Sequence, residues 1–497
     1  MRPAFALLLI ATCTAFVSAH ARADTFVYTD EKGEQQTVEA RLFGSGQDAH
    51  ALLKADGQLE VIPQPAVEKR EPADGPAPIG PEQMVDVLKE RFDADLLRTY
   101  ADDKHVIALV TAGPLDRRGE TRAKGFLQKV GRFMDNVDTV FTRFARDMHF
   151  PLHDQEFPLV TIVFESDDDF NKFAEENTGG DGLSVRRIAG FYSPLTNWLA
   201  IRLEECRTFR VPLHEAIHQQ MYNRVFQRLA PIPTWFDEGI ATGFENNGEK
   251  VDIHPAKING MYAWLSKNLP ADDVKWADIV NNDDSFHGDI LAAESYIEAW
   301  SLHWMLVTQH EEAYAKYVQQ LAARTPLEEQ PAEQRTEQFA GIFGKSVEEI
   351  AGQFSRVLEV GMKRQKVKPP QDTPDGLSLT NSQLAEVKIY CEIDGGSGQM
   401  QMNGQIKNES PIRPMTYHVA VVTSSGTYTD WVIDGLEVNG TAPLAAKIAA
   451  KVLPGTVGGP ASRFVVRIRS ALPGSETASQ WNRYPPLPEG FDESTEE

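Results

Sequence analysis

The stretch that most constrains the fold of this chain is 211–245, which contains the sequence HEAIH. His214 and His218 are four residues apart, so on a helix their imidazoles leave the same face one turn apart and can share one tetrahedral cation. Glu215 lies between them, where its carboxylate can take a proton from a metal-bound water. The motif therefore predicts a helix that holds a metal ion and a general base.

A catalytic zinc ion usually has three protein ligands and one exchangeable position, so the chain must supply one more ligand. Glu238 is the best candidate. The chain is interrupted at Pro231 and Pro233, and Thr234 with Asp237 three residues later is typical of a capping box that opens a second helix. We therefore expect helix, turn, helix, with the second helix returning the carboxylate of Glu238 to the two histidines.

HEAIH, followed by the glutamate of the WFDEGIA segment, resembles the gluzincin branch of the zincin metallopeptidases, and above all the secreted bacterial peptidase MA-like proteins. The resemblance covers the metal-binding core and neither end of the chain. It implies that His214, His218 and Glu238 bind Zn²⁺. It also implies that Glu215 acts as general base and acid on a peptide or protein substrate.

One departure from the family pattern concerns the residues that support the metal ligands. Some gluzincins place an acidic residue four positions after the third ligand, where this chain has Thr242. The nearest acid on that face of the helix is Glu245. The sequence alone leaves open which residue supports the ligands.

Gluzincins also commonly supply a tyrosine or histidine from a later helix to hydrogen-bond the oxyanion. In this chain the helical pattern of 292–308 places Tyr296, Trp300 and His303 on one face. Tyr296 is the first choice for the oxyanion donor and His303 the second. The alternative is that the tyrosine packs between helices with its hydroxyl bonded elsewhere.

The segments before the histidine helix are predicted to form its supporting layer. One long helix carries a continuous apolar stripe at Phe126, Val130, Phe133, Val137, Phe141, Phe144 and Met148. A strand at 197–205 follows, and zincins that resemble this chain place there the edge strand that pairs with an extended peptide substrate. If Trp198 to Leu203 is that edge, the substrate is a peptide in extended form.

The first residues predict export. A basic start at Arg2 precedes an apolar run at 4–17 and an A-x-A site ending at Ala23, which is typical of a cleaved signal peptide at 1–23. No later stretch is long and apolar enough to span a bilayer. The expected location is therefore secreted or periplasmic.

The net charge limits the classes of binding partner, and the cysteine content limits the possible disulfides. The formal net charge of -23 argues against nucleic acid and against anionic membranes as partners. Cys206 and Cys391 could pair in an oxidising compartment, but two buried thiols fit the sequence equally well.

The pattern along the chain predicts a multidomain α+β protein, in which a zincin-like catalytic core is flanked by a small N-terminal β module and a C-terminal β-sandwich. Either β module could bind a cell-envelope partner, or act only as a cap or spacer. The expected divisions are a signal peptide at 1–23, an SH3-sized β module at 24–67, a Pro/Gly linker at 68–83, the zincin-like domain at 84–366, a linker at 367–376, an Ig-like or fibronectin-like sandwich at 377–471 and an acidic, Pro-rich, disordered tail at 472–497.

Two classes of function fit these features. The first is an exported zinc peptidase that hydrolyses peptide bonds through a metal-activated water. The second is a non-catalytic zincin-like protein of the cell envelope that only holds a partner. Glu215 discriminates between them, because binding a partner requires no general base.

Overall fold

A computed structural model describes residues 23–484 except 31, 74–76, 178–187, 246–250, 252–253, 269–274, 287–290, 372–373, 375–376, 394–399, 424–425, 449–464, 476–477, 479–480 and 483. These residues form a mixed α+β structure with four β-sheets. The predicted signal peptide lies outside the described residues except for Ala23, which begins the first strand. Among the described residues, none of the helices combines the length and the hydropathy needed to cross a membrane.

The N-terminal sheet is antiparallel and has the order β4-β3-β2-β1-β5. Its strands are β1 (Ala23–Thr29), β2 (Gln35–Ser45), β3 (Ala49–Leu53), β4 (Leu59–Pro63) and β5 (Val67–Ala73). Strand β5 occupies the start of the predicted linker at 68–83, which is therefore shorter than expected. The sequence VEKREPA hid this strand because its side chains are mostly exposed, as is usual for a charged edge strand, and show no apolar alternation.

A second sheet lies at the centre of the molecule, in the order β6-β7-β8-β10-β9. Its strands are β6 (Leu97–Ala101), β7 (His105–Val110), β8 (Leu159–Phe164), β9 (Gly190–Ser193) and β10 (Trp198–Arg202). Strands β7, β8 and β10 run parallel, while β6 and β9 pair antiparallel at the two edges. Parallel central strands are covered on both faces, which explains why β7 and β8 are fully buried and mostly apolar.

Alternate residues of the central strands face two helical layers. Val106 and Ala108 pack with α1 (Pro81–Arg91) and α3 (Asp167–Asn177). Ile107 and Leu109 pack on the opposite face, with α2 (Arg117–Asp147) and the helices beyond it. All seven residues of the predicted apolar stripe are buried there, so that prediction is confirmed.

The expected edge strand is not at the edge of this sheet. Strand β10, which contains most of the predicted segment, pairs with β8 on one side and with β9 on the other. The edge is β9, with the sequence GFYS. Four residues beginning with glycine carry too little alternation to be recognised as a strand, so the sequence pointed to the longer apolar neighbour.

The remaining helices cover the second layer and are packed in one apolar core. They are α4 (Arg210–Arg224), α5 (Thr234–Phe244), α6 (Gly260–Asn268), α7 (Trp276–Asn281), α8 (Leu291–Gln309), α9 (Glu311–Ala322), α10 (Ala332–Phe343) and α11 (Val347–Gln365). Cys206 is buried in this core, whereas Cys391 is half-buried in the C-terminal region, and within the described part of the chain both thiols are free.

Two C-terminal sheets, β11-β12-β13-β16 and β15-β14-β17, enclose a shared apolar core. Their strands are β11 (Leu377–Ser382), β12 (Ala385–Ile393), β13 (Met400–Asn408), β14 (Met415–Thr423), β15 (Gly426–Leu436), β16 (Thr441–Ile448) and β17 (Val465–Ala471). Part of the expected disordered tail is packed, because the rings of Trp481 and Tyr484 stack on His418 at 5.8 and 5.6 Å. Aromatic residues in a Pro-rich, acidic segment provide the apolar surface for this contact.

The C-terminal sheets are attached to the central region through a buried ion pair. Arg413 Nε lies 2.8 Å from Glu165 Oε1, and the two side chains are 11% and 2% exposed. The Arg413 guanidinium also donates to the backbone carbonyls of Gly113 and Pro114. Burial raises the pKa of Glu165, and the Arg413 charge opposes that shift.

Candidate metal centre

Helices α4 and α5 bring the predicted ligands together. Helix α4 begins after Phe209, which has a left-handed φ of 57°, and its Gln219 side chain donates to the backbone carbonyl of Val160 on β8. Its inner face is therefore fixed against the central sheet. Helix α5 follows after the proline-containing turn and packs on α4, so the predicted helix, turn, helix arrangement is present.

The expected capping box of α5 is absent. The N-cap is Pro233, which makes no side-chain capping bond. The Thr234 N–H donates to Asp283 Oδ1 at 3.0 Å. Asp237 points instead towards α4, where its carboxylate meets His218. Local spacing suggested a cap, but the tertiary partner of Asp237 was not visible from neighbouring residues.

The donor atoms of His214, His218 and Glu238 lie within 4.8 Å of one another. Glu238 Oε2 is 3.0 Å from His214 Nε2 and 3.6 Å from His218 Nε2. Donors around a tetrahedral zinc ion with bonds near 2.0 Å are separated by about 3.3 Å. Two imidazole nitrogens and one carboxylate oxygen at this spacing fit a zinc ion.

The other nitrogen of each histidine is bonded to a carboxylate. His214 Nδ1 lies 2.8 Å from Glu245 Oε1, and His218 Nδ1 lies 2.9 Å from Asp237 Oδ1. Because an ionised carboxylate can only accept, each Nδ1 carries a hydrogen and each Nε2 can present its lone pair to a metal ion. These contacts hold both rings in the orientation that a metal site requires.

Two tyrosines complete the support of the histidines. The Tyr262 hydroxyl is 3.2 Å from Glu245 Oε1, and the Tyr222 hydroxyl donates to Asp237 Oδ2 at 3.0 Å. Thr242 has no such role, since its hydroxyl donates to the Glu238 carbonyl of its own helix at 2.8 Å. Glu245, and not Thr242, is therefore the acidic residue that holds the His214 ring.

The charges of this cluster are strongly coupled. Burial alone would lower the pKa of His214, but the bonds to Glu238 and Glu245 outweigh burial and raise it to about 10. Burial would raise the pKa of Glu238, but the neighbouring His218 and His214 hold it well below its usual range. Without a bound cation, these neighbours thus favour the positive form of His214 and the negative form of Glu238. A bound cation would replace the proton on His214 Nε2.

Glu215 lies beside the cluster on the same helix. Its Oε2 accepts the backbone N–H of Tyr192, on edge strand β9, at 2.9 Å. Burial raises the pKa of Glu215, while His214 and His218 oppose the shift. This carboxylate thus adjoins both the His214–His218–Glu238 cluster and the edge of the central sheet.

Tyr296 of α8 reaches the cluster. Its hydroxyl is hydrogen-bonded to Glu238, and its ring centroid is 6.2 Å from that of His214. The negative charge of Glu238, together with burial, raises the pKa of Tyr296 well above its usual value. The hydroxyl therefore remains a hydrogen-bond donor at ordinary pH.

His303 does not reach the cluster, so the second choice for an oxyanion donor is not supported. It lies two helical turns beyond Tyr296, about 10 Å along the axis of α8. Its Nε2 is 2.7 Å from the Tyr314 hydroxyl, and its side chain packs against α5, with Cβ next to Gly239 and the ring next to Gly243. Burial lowers the pKa of His303 to about 3.

A sequence family described as "Protein of unknown function (DUF1570)" matches residues 211–328. The matched segment contains α4, α5 and α8, and therefore all the residues of the cluster. No curated protein matches the chain. Among solved structures, the chain is similar to Legionella pneumophila aminopeptidase A in complex with aspartic acid, with 14% identity and a TM-score of 0.28 over 71% of this chain and 36% of that one.

The sequence missed three residues that hold the cluster: Asp237, Tyr222 and Tyr262. Tyr222 lies four residues after His218, so its place on the same helix face was a usable signal. Asp237 directly precedes the third ligand, but its capping pattern concealed it. Tyr262 comes from a separate helix, and no local spacing connects it to Glu245.

Proposed function

We propose that this chain is an exported zinc-dependent peptidase. The observation that carries the proposal is the position of Glu238 Oε2, 3.0 and 3.6 Å from two Nε2 atoms. Carboxylates on the opposite ring nitrogens fix both histidines, and Glu215 adjoins the cluster without belonging to the set of three. A purely structural metal site would not need the additional carboxylate.

His214, His218 and Glu238 would hold the ion, with Asp237 and Glu245 fixing the two imidazoles. A bound Zn²⁺ supplies Lewis acidity that polarises a carbonyl and lowers the pKa of water. The protein's own part is to keep both Nε2 lone pairs directed at one point and to leave one side of that point open to substrate.

Glu215 is the general base and acid of the proposed reaction. Its carboxylate takes a proton from the attacking water, holds it, and gives it to the leaving amine. Burial raises its pKa towards the working pH, which suits a group that must both accept and release a proton. Tyr296 is the proposed oxyanion donor. Its hydroxyl can donate a hydrogen bond to the carbonyl oxygen of the scissile bond, which becomes negative in the transition state.

Edge strand β9 is the proposed binding surface for the substrate backbone. The Tyr192 N–H faces Glu215, away from β10, so the free side of β9 borders the cluster. An extended peptide added to this edge would run past the metal ligands. The substrate is therefore proposed to be a peptide or protein segment in extended form.

Export rests on the basic start, apolar run and A-x-A site of residues 1–23. The same sequence features make the cell envelope or the extracellular space the proposed place of action. The β modules are proposed to bind an envelope partner there, with the C-terminal one attached to the central region through Arg413.

The decisive experiment combines metal analysis with a peptide-library cleavage assay, with and without a chelator. Wild-type protein should contain zinc and cleave peptides, and chelation should abolish cleavage. Glu215→Gln should retain zinc and lose at least about a hundredfold in turnover, because glutamine keeps the shape of the side chain without its basicity.

Glu312→Gln, an equivalent change at an exposed position on α9, is the matched control and should keep full activity. Wild-type turnover in Glu215→Gln would refute the mechanism. A zinc-containing wild-type protein that cleaves nothing across a broad library would favour the non-catalytic binding function.

A further inference from the structure

A second cluster of potential ligands lies outside the histidine helix. Asp102, His105 and Asp135 offer one ligand atom each within 4.8 Å of one another. Asp102 is in the turn between β6 and β7, His105 begins β7, and Asp135 is on α2. The cluster shares no residue with the first one and joins a hairpin turn to the longest helix of the described region.

His105 is the unusual member of this cluster. Its residue is 0% exposed, and among the residues that the structure describes neither ring nitrogen has a hydrogen-bond partner. Buried polar atoms nearly always have a partner, so a bare imidazole at this depth indicates that a ligand belongs there. The Nδ1 atom faces both carboxylates, at 3.4 Å from Asp102 Oδ1 and 3.5 Å from Asp135 Oδ1.

These distances suit a shared ion better than a shared proton. An N–H donor bonds a carboxylate at about 2.7–3.2 Å and would approach one of the two oxygens. Here both oxygens lie beyond that range and almost equally far from the nitrogen. Donors that surround one ion with bonds near 2.0 Å are separated by about 3.3 Å.

The surroundings leave one side of the cluster open to solvent. Lys104 is the cation nearest in sequence, but its ammonium is bonded to Asp138 at 2.7 Å. Asp102 Oδ1 is held by the backbone N–H groups of Lys104 and His105, at 2.9 and 2.8 Å. The Asp135 side chain is 56% exposed, so an ion could enter from solvent and complete its coordination with water.

We propose that Asp102, His105 and Asp135 form a second zinc site, with a structural role. The donor set of one imidazole and two carboxylates selects a divalent transition metal over Ca²⁺ or Mg²⁺, which prefer oxygen ligands alone. Such an ion would tie the β6–β7 turn to α2 and give the His105 ring the partner that its burial requires.

The test is the zinc stoichiometry of the full chain, measured by elemental analysis after dialysis with Zn²⁺ and removal of loosely bound metal. Wild-type protein should hold two zinc ions, and Asp135→Asn should hold one. Asp103→Asn removes the same charge from an exposed side chain in the same turn and should still hold two. His105→Gln should also hold one, with circular dichroism used to check that this buried substitution leaves the fold intact.

Repeating Asp135→Asn in a His218→Ala background separates this site from the first one. His218→Ala alone should retain one zinc ion, and the double variant should retain none. If the first cluster binds no zinc, His218→Ala will leave the stoichiometry unchanged while Asp135→Asn still lowers it by one. Equal stoichiometry in wild type and Asp135→Asn, or an equal loss in Asp103→Asn, would overturn the second site.

Discussion

Two faces of α5 contact buried histidines in opposite electrostatic environments. On one face Glu238 meets His214, whose pKa is raised to about 10 by its carboxylate neighbours despite burial. On the other face Gly239 allows His303 to pack so closely that a Cβ at position 239 would lie 2.9 Å from His303 Cβ. There burial acts without a carboxylate and lowers the pKa of His303 to about 3.

The difference shows that depth alone does not decide what a histidine can do. Both environments remove the ring from water, which disfavours its charged form. Only the face with Glu238 adds carboxylates to both nitrogens of one ring, and only that face presents a set of donors to an ion. His303 keeps a neutral hydroxyl as its partner and behaves as a core residue.

The largest expected effect is on zinc affinity, when one histidine from each of the two environments is substituted. His218→Ala should weaken zinc binding by several orders of magnitude, since it removes one of three protein ligands. His303→Gln should leave zinc affinity unchanged. Competition with a chromophoric chelator measures both, and equal losses in the two variants would remove the distinction between the two faces.

Tyr296 and Tyr314 provide the next comparison, because the Tyr296 hydroxyl is bonded to Glu238 and the Tyr314 hydroxyl to His303. Tyr296→Phe should lower kcat by about a hundredfold or more with zinc retained, the scale of losing one oxyanion donor at about 2.7–4 kcal/mol. Tyr314→Phe should affect stability and leave turnover per folded molecule intact. Steady-state kinetics with zinc quantification decides, and unchanged kcat in Tyr296→Phe would assign the oxyanion to another group.

Smaller losses are expected when the support of the ligands is removed. Asp237→Asn and Glu245→Gln should each weaken zinc binding by about 10- to 100-fold, because the rings lose the carboxylates that orient them. Thr242→Val is the control, since the Thr242 hydroxyl bonds only to its own helix backbone. A loss in Thr242→Val as large as in Glu245→Gln would show that packing of α5, and not ring orientation, sets the affinity.

The smallest effect is the contribution of His303 to stability against pH. The unfolded ring has a pKa near 6.5 and the folded ring a pKa of about 3, so between these values only the unfolded chain takes up the proton. The contribution of His303 to the free energy of unfolding is therefore complete above about pH 6.5. It falls as the pH is lowered, by at most about 1.4 kcal/mol per pH unit.

His303→Gln keeps a neutral partner for Tyr314 and removes the titration. The free energy of unfolding in urea, measured at pH 7.5 and 5.5, should drop about 1 kcal/mol further in wild type than in this variant. Equal drops would mean that the buried ring does not govern acid sensitivity on this face.

The convergence of His214, His218 and Glu238 was predictable because it depends on short-range geometry. Histidines four apart must share a helix face, and a proline turn followed by a helix brings Glu238 back to them. The apolar stripe of α2 was predictable for the same reason. In each case the periodicity of one helix carried the information.

What the sequence did not reveal depends on partners distant in the chain. Asp237 has the spacing of a capping residue, and only the packing of α5 on α4 shows that it bonds His218. Whether β9 or β10 is the edge depends on strand pairing, which a four-residue strand does not record. The packing of Trp481 and Tyr484 on His418 likewise joins segments that local composition treats separately.

The ion pair between Arg413 and Glu165 has a consequence for dissecting the molecule. A recombinant fragment that ends before the C-terminal sheets would leave the Glu165 carboxylate without its guanidinium, in a position that is 2% exposed in the intact chain. Breaking a buried pair from one side typically costs about 3–5 kcal/mol, a large fraction of the stability of a domain. A fragment that is cut at the boundary between the two regions is therefore expected to be less stable than the intact chain.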